Sequence, residues 1–259
     1  MIKPKNKNKL LFFCIIHNLI VPLHAKENMA TILHIETSTD VCSVALTKDG
    51  HCIWDKEDHG DGKSSKAAEL LPAFVDEAMK QLLSNEKLDA VAVSGGPGSY
   101  TGLRIGMSMA KGVAYGSDAK LLAVPTLEIM CVPILLGREL EDDALLCPMI
   151  DARRMEVFSA IYDRALQPMR GTQADIVEEN TYKEFLDKHP VYFFGNGAGK
   201  CKEVIKHPNA HFIDNIVPLA RHMMPLAEKR HHGGMFEDVA YYVPDYGKEY
   251  EAKLPKKLL

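Results

Sequence analysis

A glycine-rich turn is the first feature whose residue types could do chemistry. Gly95-Gly96-Pro97-Gly98 follows an apolar segment, residues 88–93, and precedes a run that continues to Gly116. This pattern predicts a strand, a glycine loop and a helix, and backbone N–H groups at the start of such a helix favour an anion. The segment lacks the lysine that a P-loop requires. Anion binding and a plain tight turn both remain open.

Histidine spacing gives little support for a metal site. His207 and His211 have the spacing at which two imidazoles share a helix face. Pro208 and Asn209 stand between them and favour a turn. We therefore interpret the pair as part of a polar surface loop and predict no metal site.

Composition limits the functional classes. The chain has 259 residues, of which 46% are hydrophobic and 25% charged, and a formal net charge of -4. This length suits one large domain or two lobes. Counterion release from nucleic acid requires a basic surface, so the chain is a poor autonomous nucleic-acid binder. Scattered cysteines without a CxxC pair favour a reduced compartment, and we predict a cytoplasmic location without membrane association.

Residues 1–28 precede the first predicted strand. Lysines within residues 3–9 come before an apolar run at 10–16, and Ala25 could end a secretory signal. The run is too short to span a bilayer. We favour Met29 as the functional start, with residues 1–28 as a translated upstream segment, and a signal peptide as the alternative.

The hydrophobic periodicity predicts two similar sets of elements. The first set has strands at 31–36, 41–47, 51–56, 88–93 and 121–124 and helices at 67–83, 101–116 and 125–136, with a kink at Pro72. The second set has strands at 144–150, Glu156–Tyr162 and Val191–Phe194 and helices at 199–206 and 219–229. We predict an N-terminal lobe over 29–130, a C-terminal lobe over 131–245 and a flexible tail over 246–259.

Two of these helices carry features of a packing surface. Gly102, Gly106, Ala110 and Ala114 recur every four residues, so one ridge of that helix is open to close approach by another helix. The helix at 67–83 has an apolar stripe wider than one sheet face requires. A buried core helix and a partner interface both fit that stripe.

Several motifs in order across residues 29–259 resemble the TsaB (YeaZ) family. They are HIETSTDVCSVAL, SGGPGSYTGLRIGMSMAKGVAYG, LLAVPTLE, MIDARRMEVFSAIYD and YYVPDY. The resemblance implies an α/β fold of two related lobes with mixed sheets, of the acetate and sugar kinase, Hsp70 and actin type, which is ribonuclease H-like. Near the C-terminus, Gly247 and Lys248 stand where leucine and arginine are usual in the family.

The same resemblance implies a function. It indicates a non-catalytic dimerisation subunit of the bacterial complex that places threonylcarbamoyl on the adenosine beside the tRNA anticodon. The implied partners are a catalytic TsaD-type paralogue, in a heterodimer, and a TsaE-type ATPase, and these would carry the ATP and the metal. The chain would reach tRNA only through the complex. The HxxxH metal pair of the paralogue has Lys66 and Leu70 at the matching positions here, which fits a chain that is not an enzyme and has no cofactor.

The resemblance also assigns site residues. Vestigial phosphate or nucleotide turns would include Glu36, Thr37 and Ser38 in the first hairpin, Asp151 in the second, and Gly195 and Gly197 beyond. From the two helices we predict a partner interface containing Leu71, Phe74, Val75, Met107 and Lys111. The same surface could support a homodimer in the absence of the partner.

Two enzymatic interpretations stay open beside the subunit. A nucleotide-dependent small-molecule phosphotransferase of the same fold could use Glu36 and Asp151 to hold a hydrated magnesium ion, although acids at strand ends are common in turns. A metallopeptidase would need the histidine pair that the chain lacks. The tail lysines, such as Lys248, favour a solvated tail over a tRNA contact within the complex.

Overall fold

The computed structural model describes residues 30–60 and 66–248. In those two ranges, no helix combines the length and the apolar character that a membrane crossing requires. The predicted leader at 1–28, residues 61–65 and the tail from residue 249 lie outside the described residues.

The first sheet has five strands in the order β3-β2-β1-β4-β5. They are β1 (Ile32–Glu36), β2 (Cys42–Lys48), β3 (His51–Asp58), β4 (Ala90–Ser94) and β5 (Lys120–Val124). The first three strands pair antiparallel, whereas β4 and β5 add in parallel beside β1. The strands predicted at 31–36, 41–47 and 51–56 are confirmed and form an antiparallel meander.

The second sheet repeats this topology in the order β10-β9-β6-β7-β8. Its strands are β6 (Leu145–Asp151), β7 (Glu156–Tyr162), β8 (Pro168–Ile176), β9 (Val191–Phe194) and β10 (Ala210–Ile213). Here β6, β7 and β8 form the meander, and β9 and β10 pair in parallel beside β6. The duplicated order confirms the predicted two-lobed α/β fold with mixed sheets.

The two edge strands of this sheet, β8 and β10, were not predicted from the sequence. β8 contains Arg170, Thr172 and Gln173 and is exposed along most of its length, so it lacks the apolar alternation of a half-buried strand. β10 has only four residues. Edge strands of this kind depend on pairing with a neighbour rather than on their own hydrophobic pattern.

The helices are α1 (Ala67–Met79), α2 (Tyr100–Ser117), α3 (Thr126–Gly137), α4 (Lys183–Leu186), α5 (Ala198–Cys201) and α6 (Met224–His232). α1 continues through Pro72 and ends before the predicted residue 83. The helix predicted at 199–206 has only four residues and contains Gly199, a poor helix former. The last predicted helix is split into a 3-10 turn, Ala220–Met223, and α6, which has Pro225 in its first turn.

α3 lies at the centre of the molecule. Its buried residues, among them Leu127, Met130 and Ile134, belong to a core cluster that includes Leu122 of the first sheet and Ile150 of the second. The predicted lobe boundary at 130/131 falls inside this helix. The two sheets therefore share one core across that boundary, and separate clusters fill the outer face of each.

Candidate functional site

The first hairpin turn packs against the start of α2. Thr37 Oγ1 donates to the Gly102 carbonyl oxygen at 2.8 Å, and the Ser99 N–H donates to the Ser38 carbonyl oxygen at 2.7 Å. Glu36 is fully buried and accepts from the Ser38 N–H at 2.5 Å. Burial raises the pKa of Glu36 to about 7, although hydrogen bonds from Ser38 and Ser94 oppose that shift. The Thr37 hydroxyl and the Ser38 N–H are thus engaged within the chain.

The small-residue ridge of α2 explains this close packing. A Cβ atom at Gly102 would lie 2.0 Å from the Thr37 carbonyl oxygen, and one at Gly106 would lie 2.2 Å from Thr37 Oγ1. Ala110 and Ala114 are also buried against the same sheet. The expectation that this ridge receives another helix is therefore wrong for these residues, because the ridge contacts the first hairpin of its own chain.

The glycine loop before α2 is held by backbone contacts. The Gly95 N–H donates to the Val124 carbonyl oxygen and the Thr126 N–H donates to the Gly96 carbonyl oxygen, both at 2.8 Å. Gly96 has φ +102°, and a Cβ atom there would lie 1.9 Å from the Asp245 carbonyl oxygen. These contacts favour the tight-turn interpretation over an open anion site.

The second hairpin and the later glycine turn meet at the end of β6. The Asp151 N–H donates to Asn196 Oδ1 at 2.9 Å, and the Lys200 ammonium pairs with the Asp151 carboxylate. Gly195 has φ +106°, and a Cβ atom there would lie 2.3 Å from the Met149 carbonyl oxygen. Gly197 packs closely against the same strand end, so the structure brings the predicted residues Asp151, Gly195 and Gly197 together.

Glu36 and Asp151 have different partners. Glu36 is bonded to Ser38 and is buried, whereas Asp151 is exposed and paired with Lys200. Within residues 30–60 and 66–248, no group of three or more His, Cys, Asp or Glu residues is arranged to hold a metal ion. His207 lies in a turn and His211 in β10, so these two do not share a helix face.

Most of the predicted interface residues are not accessible. Leu71, Phe74, Val75 and Met107 are at most 6% exposed and belong to the core cluster of the first lobe. Lys111 is half-buried, and its Nζ donates to the Ala240 carbonyl oxygen at 3.0 Å. For Phe74, Val75 and Met107 the assignment as partner contacts is corrected, because an apolar stripe in the sequence does not show which neighbour covers that face of the helix. For Leu71 and Lys111 it stays a prediction.

A groove lies on the outer side of the same two helices. It has a volume of about 620 Å³ and is mainly apolar. Its lining residues are Ala68, Leu71, Pro72, Arg104, Ile105, Ser108, Met109, Gly112 and Val113. A Cβ atom at Gly112 would meet no heavy atom within 4 Å. The sequence signal for this face is the four-residue spacing of Ser108, Gly112 and Gly116.

The C-terminal segment joins α2 to the second lobe. Arg104 Nε donates to Tyr246 Oη at 3.2 Å, and the Asp245 N–H donates to the Gly95 carbonyl oxygen at 2.8 Å. Gly247 has φ +72°, and a Cβ atom there would lie 2.6 Å from the Phe158 ring. Glycine is therefore required at this departure from the family pattern. Lys248 pairs with Glu156, and the rest of the predicted tail lies outside the described residues.

Comparisons with known proteins give the class of protein. The family model for TsaD, tRNA N6-adenosine threonylcarbamoyltransferase, matches residues 63–254. The solved structure of YeaZ from Pseudomonas aeruginosa has a TM-score of 0.71 and 24% identity, and covers 84% of this chain and 100% of its own. At that identity the structure supports the shared fold alone.

Curated relatives narrow the class to one family. The tRNA threonylcarbamoyladenosine biosynthesis protein TsaB of Escherichia coli K12 is 35% identical over 87% of this chain and 99% of the relative. The TsaB protein of Bacillus subtilis 168 is 30% identical over 68% of this chain and 75% of the relative. The chain belongs to the TsaB (YeaZ) family.

Proposed function

We propose that this chain is a non-catalytic subunit of a cytoplasmic complex that makes threonylcarbamoyladenosine in tRNA. The observation that carries the proposal is an exposed glycine, Gly112, in an apolar groove between α1 and α2. Family membership supplies the pathway, since the curated relatives are tRNA threonylcarbamoyladenosine biosynthesis proteins. The groove supplies the site at which a partner would bind.

The glycines of α2 differ in their surroundings. Glycine in a helix interior costs about 1 kcal/mol relative to alanine. At Gly102 and Gly106 close contact with Thr37 accounts for that cost, but a Cβ atom added at Gly112 would meet no heavy atom from other parts of the described chain within 4 Å. An approaching helix of a partner would account for Gly112, because the absence of a side chain lets two helix backbones come close.

The proposed partner is a TsaD-type catalytic paralogue. The match of this chain to the TsaD family model includes both helices of the groove. A partner with the same fold would present an equivalent pair of helices, and two such pairs would pack as a pseudo-symmetric bundle. A TsaE-type ATPase would join this heterodimer, ATP and metal would bind on the partners, and a homodimer would use the same face when the paralogue is absent.

The engaged state of the first hairpin supports the non-catalytic part of the proposal. Thr37 Oγ1 donates to the Gly102 carbonyl oxygen and the Ser38 N–H donates to the Glu36 carboxylate, so these two donors are not free to receive a phosphate. No specific observation favours the phosphotransferase alternative, and the enzymatic step is assigned to the paralogue. A turnover assay of the purified chain with ATP and magnesium would check this assignment.

The groove is tested by substituting Gly112 with arginine. Open space at Gly112 lets the free chain fold, but the long cationic side chain would block an approaching helix. Gly137→Arg is the matched control, because Gly137 is also helical and exposed, with no heavy atom within 4 Å of a Cβ atom. We expect light scattering to show a complex with the paralogue for the wild type and Gly137→Arg, and none for Gly112→Arg.

The tRNA modification assay is run on the same mixtures. Modification by the paralogue should require the wild-type chain and should be lost with Gly112→Arg. Association of Gly112→Arg that matches the wild type would reject the groove as the interface. Modification that proceeds without the chain would reject the subunit role.

A further inference from the structure

We infer that Arg153 and Arg154, at the tip of the second hairpin, form a phosphate-binding element for the backbone of an RNA strand. Both side chains are exposed. Among the described residues neither guanidinium group makes a hydrogen bond or an ion pair, whereas Arg164, Arg170, Arg221 and Arg230 are all paired with carboxylates. The tip therefore presents two uncompensated positive charges on adjacent residues.

The backbone of this tip is strained. Arg153 has φ 75° and Arg154 has φ 49°, so both lie in the left-handed region. Residues other than glycine are disfavoured in that region, and hairpin turns with this conformation usually contain asparagine and glycine. Strain of this kind is typically retained at functional sites. Two arginines in these positions indicate that the cationic side chains, rather than the turn itself, are what the site requires.

The base of the hairpin is held in place by several contacts. Asp151 Oδ1 accepts from the Arg153 N–H at 3.1 Å, and the same carboxylate pairs with Lys200. Glu156, on the other side of the turn, pairs with Lys248 of the C-terminal segment. The surrounding lysines are thus neutralised by carboxylates, and the free charge is concentrated on the two arginines. Such an ordered turn loses little conformational entropy when it binds a ligand.

The chemistry of the ligand follows from the side chains. Guanidinium groups form paired hydrogen bonds with phosphate oxygens, and adjacent arginines suit consecutive or doubly charged phosphates. The cavity beside the first hairpin has a volume of about 200 Å³ and is lined by Thr39, Asp40 and Asn196 among others, but not by either arginine. An exposed tip outside a cavity favours a phosphate backbone that passes over it rather than an enclosed small molecule. The choice of RNA rests on the proposed function.

The test measures the binding of a labelled, unmodified tRNA transcript by fluorescence anisotropy over a range of salt concentrations. The full chain is used alone at low ionic strength and in mixture with its paralogue. Arg153→Ala/Arg154→Ala should weaken binding about tenfold. It should also make the negative slope of log K against log salt shallower by about 1.5, since two phosphate contacts are lost. Arg138→Ala is the matched control, because Arg138 is exposed and makes no ion pair among the described residues.

A second variant separates binding from folding. Arg153→Asn/Arg154→Gly removes the same charges but suits the left-handed backbone, so it should raise the midpoint of thermal unfolding by about 2 °C. It should weaken tRNA binding as much as the double alanine variant. This combination of higher stability and weaker binding would not arise if the arginines had a structural role only.

Several outcomes would overturn the inference. The first is a tRNA affinity of the double alanine variant within twofold of the wild type, both for the chain alone and in the mixture with the paralogue. The second is an equal loss of tRNA affinity with Arg138→Ala. The third is the absence of tRNA binding by the wild type in both of these conditions. Pyrophosphate and ADP are tested separately, and an arginine-dependent affinity for these without one for tRNA would reject RNA as the ligand. If Gly112→Arg abolishes the complex while the chain alone still binds tRNA, that result bears on the groove and not on the arginines. The two proposals can therefore fail independently.

Discussion

Two glycines of α2 should respond to the same substitution with opposite sign. A Cβ atom at Gly102 would lie 2.0 Å from the Thr37 carbonyl oxygen, which belongs to the backbone and has little room to move. A Cβ atom at Gly112 would meet no heavy atom within 4 Å. Gly102→Ala and Gly112→Ala therefore add the same methyl group to the same helix in two different environments.

The expected magnitudes follow from three effects. Alanine is favoured over glycine in a helix by about 1 kcal/mol, and at position 112 this effect should act alone. At position 102 overpacking costs about 1–3 kcal/mol, and displacement of the helix also weakens the 2.8 Å hydrogen bond from Thr37 Oγ1, a loss of about 1 kcal/mol. Gly112→Ala should thus stabilise the chain by about 1 kcal/mol, and Gly102→Ala should destabilise it by about 1–3 kcal/mol.

Thermal denaturation of the full chain, followed by circular dichroism, measures both changes. A free-energy change of 1 kcal/mol corresponds to a shift of about 2–4 °C in the thermal midpoint for a chain of this size, which is easily resolved. Equal stabilisation by both substitutions would refute the close approach of α2 to the first hairpin. Destabilisation by Gly112→Ala would show that the outer face of α2 is covered within the chain.

Two further predictions concern buried groups. Phe74→Glu should lower the free energy of unfolding by about 3 kcal/mol or more, because it places a carboxylate in the first-lobe core where Phe74 is 5% exposed; an unchanged thermal midpoint would contradict that burial. Burial raises the pKa of Glu36 and of Glu228 to about 7. The folded state therefore holds protons that the unfolded state releases above pH 4.5. The free energy of unfolding should fall between pH 4.5 and 7 and level off above pH 7. Glu36→Gln and Glu228→Gln should each reduce this pH dependence by an amount on the order of 2 kcal/mol, measured by denaturation at pH 5 and pH 8.

The strands and helices with strong local signals could be predicted from the sequence. The bounds of Glu156–Tyr162 and Val191–Phe194 agree with the structure, and α2 differs from its prediction by only one residue at each end. These segments have clear apolar periods and glycine or charged turns at their ends. β8 lacks that signal, because its polar residues face solvent on a sheet edge.

The burial of the helix faces could not be predicted in the same way. The apolar stripe of α1 is a genuine packing surface, but Leu71, Phe74 and Val75 pack against their own sheet. A stripe on one helix shows that something covers it, but not whether the neighbour belongs to the same chain. The correction of the predicted interface follows from that ambiguity.

α2 contains two sets of small residues with the same four-residue spacing, and only the structure distinguishes them. Gly102 and Gly106 lie against Thr37, so packing within the chain explains why glycine is needed there. A Cβ atom added at Gly112 would meet no heavy atom within 4 Å. The backbone strain at Arg153 and Arg154 could not be predicted from the sequence either, because no local motif in the hairpin indicates a positive φ at these residues. In both cases the informative residue has an unfavourable local conformation that no contact among the described residues offsets. Such residues indicate surfaces that bind other molecules. For this reason Gly112 and the arginine pair support the two proposals.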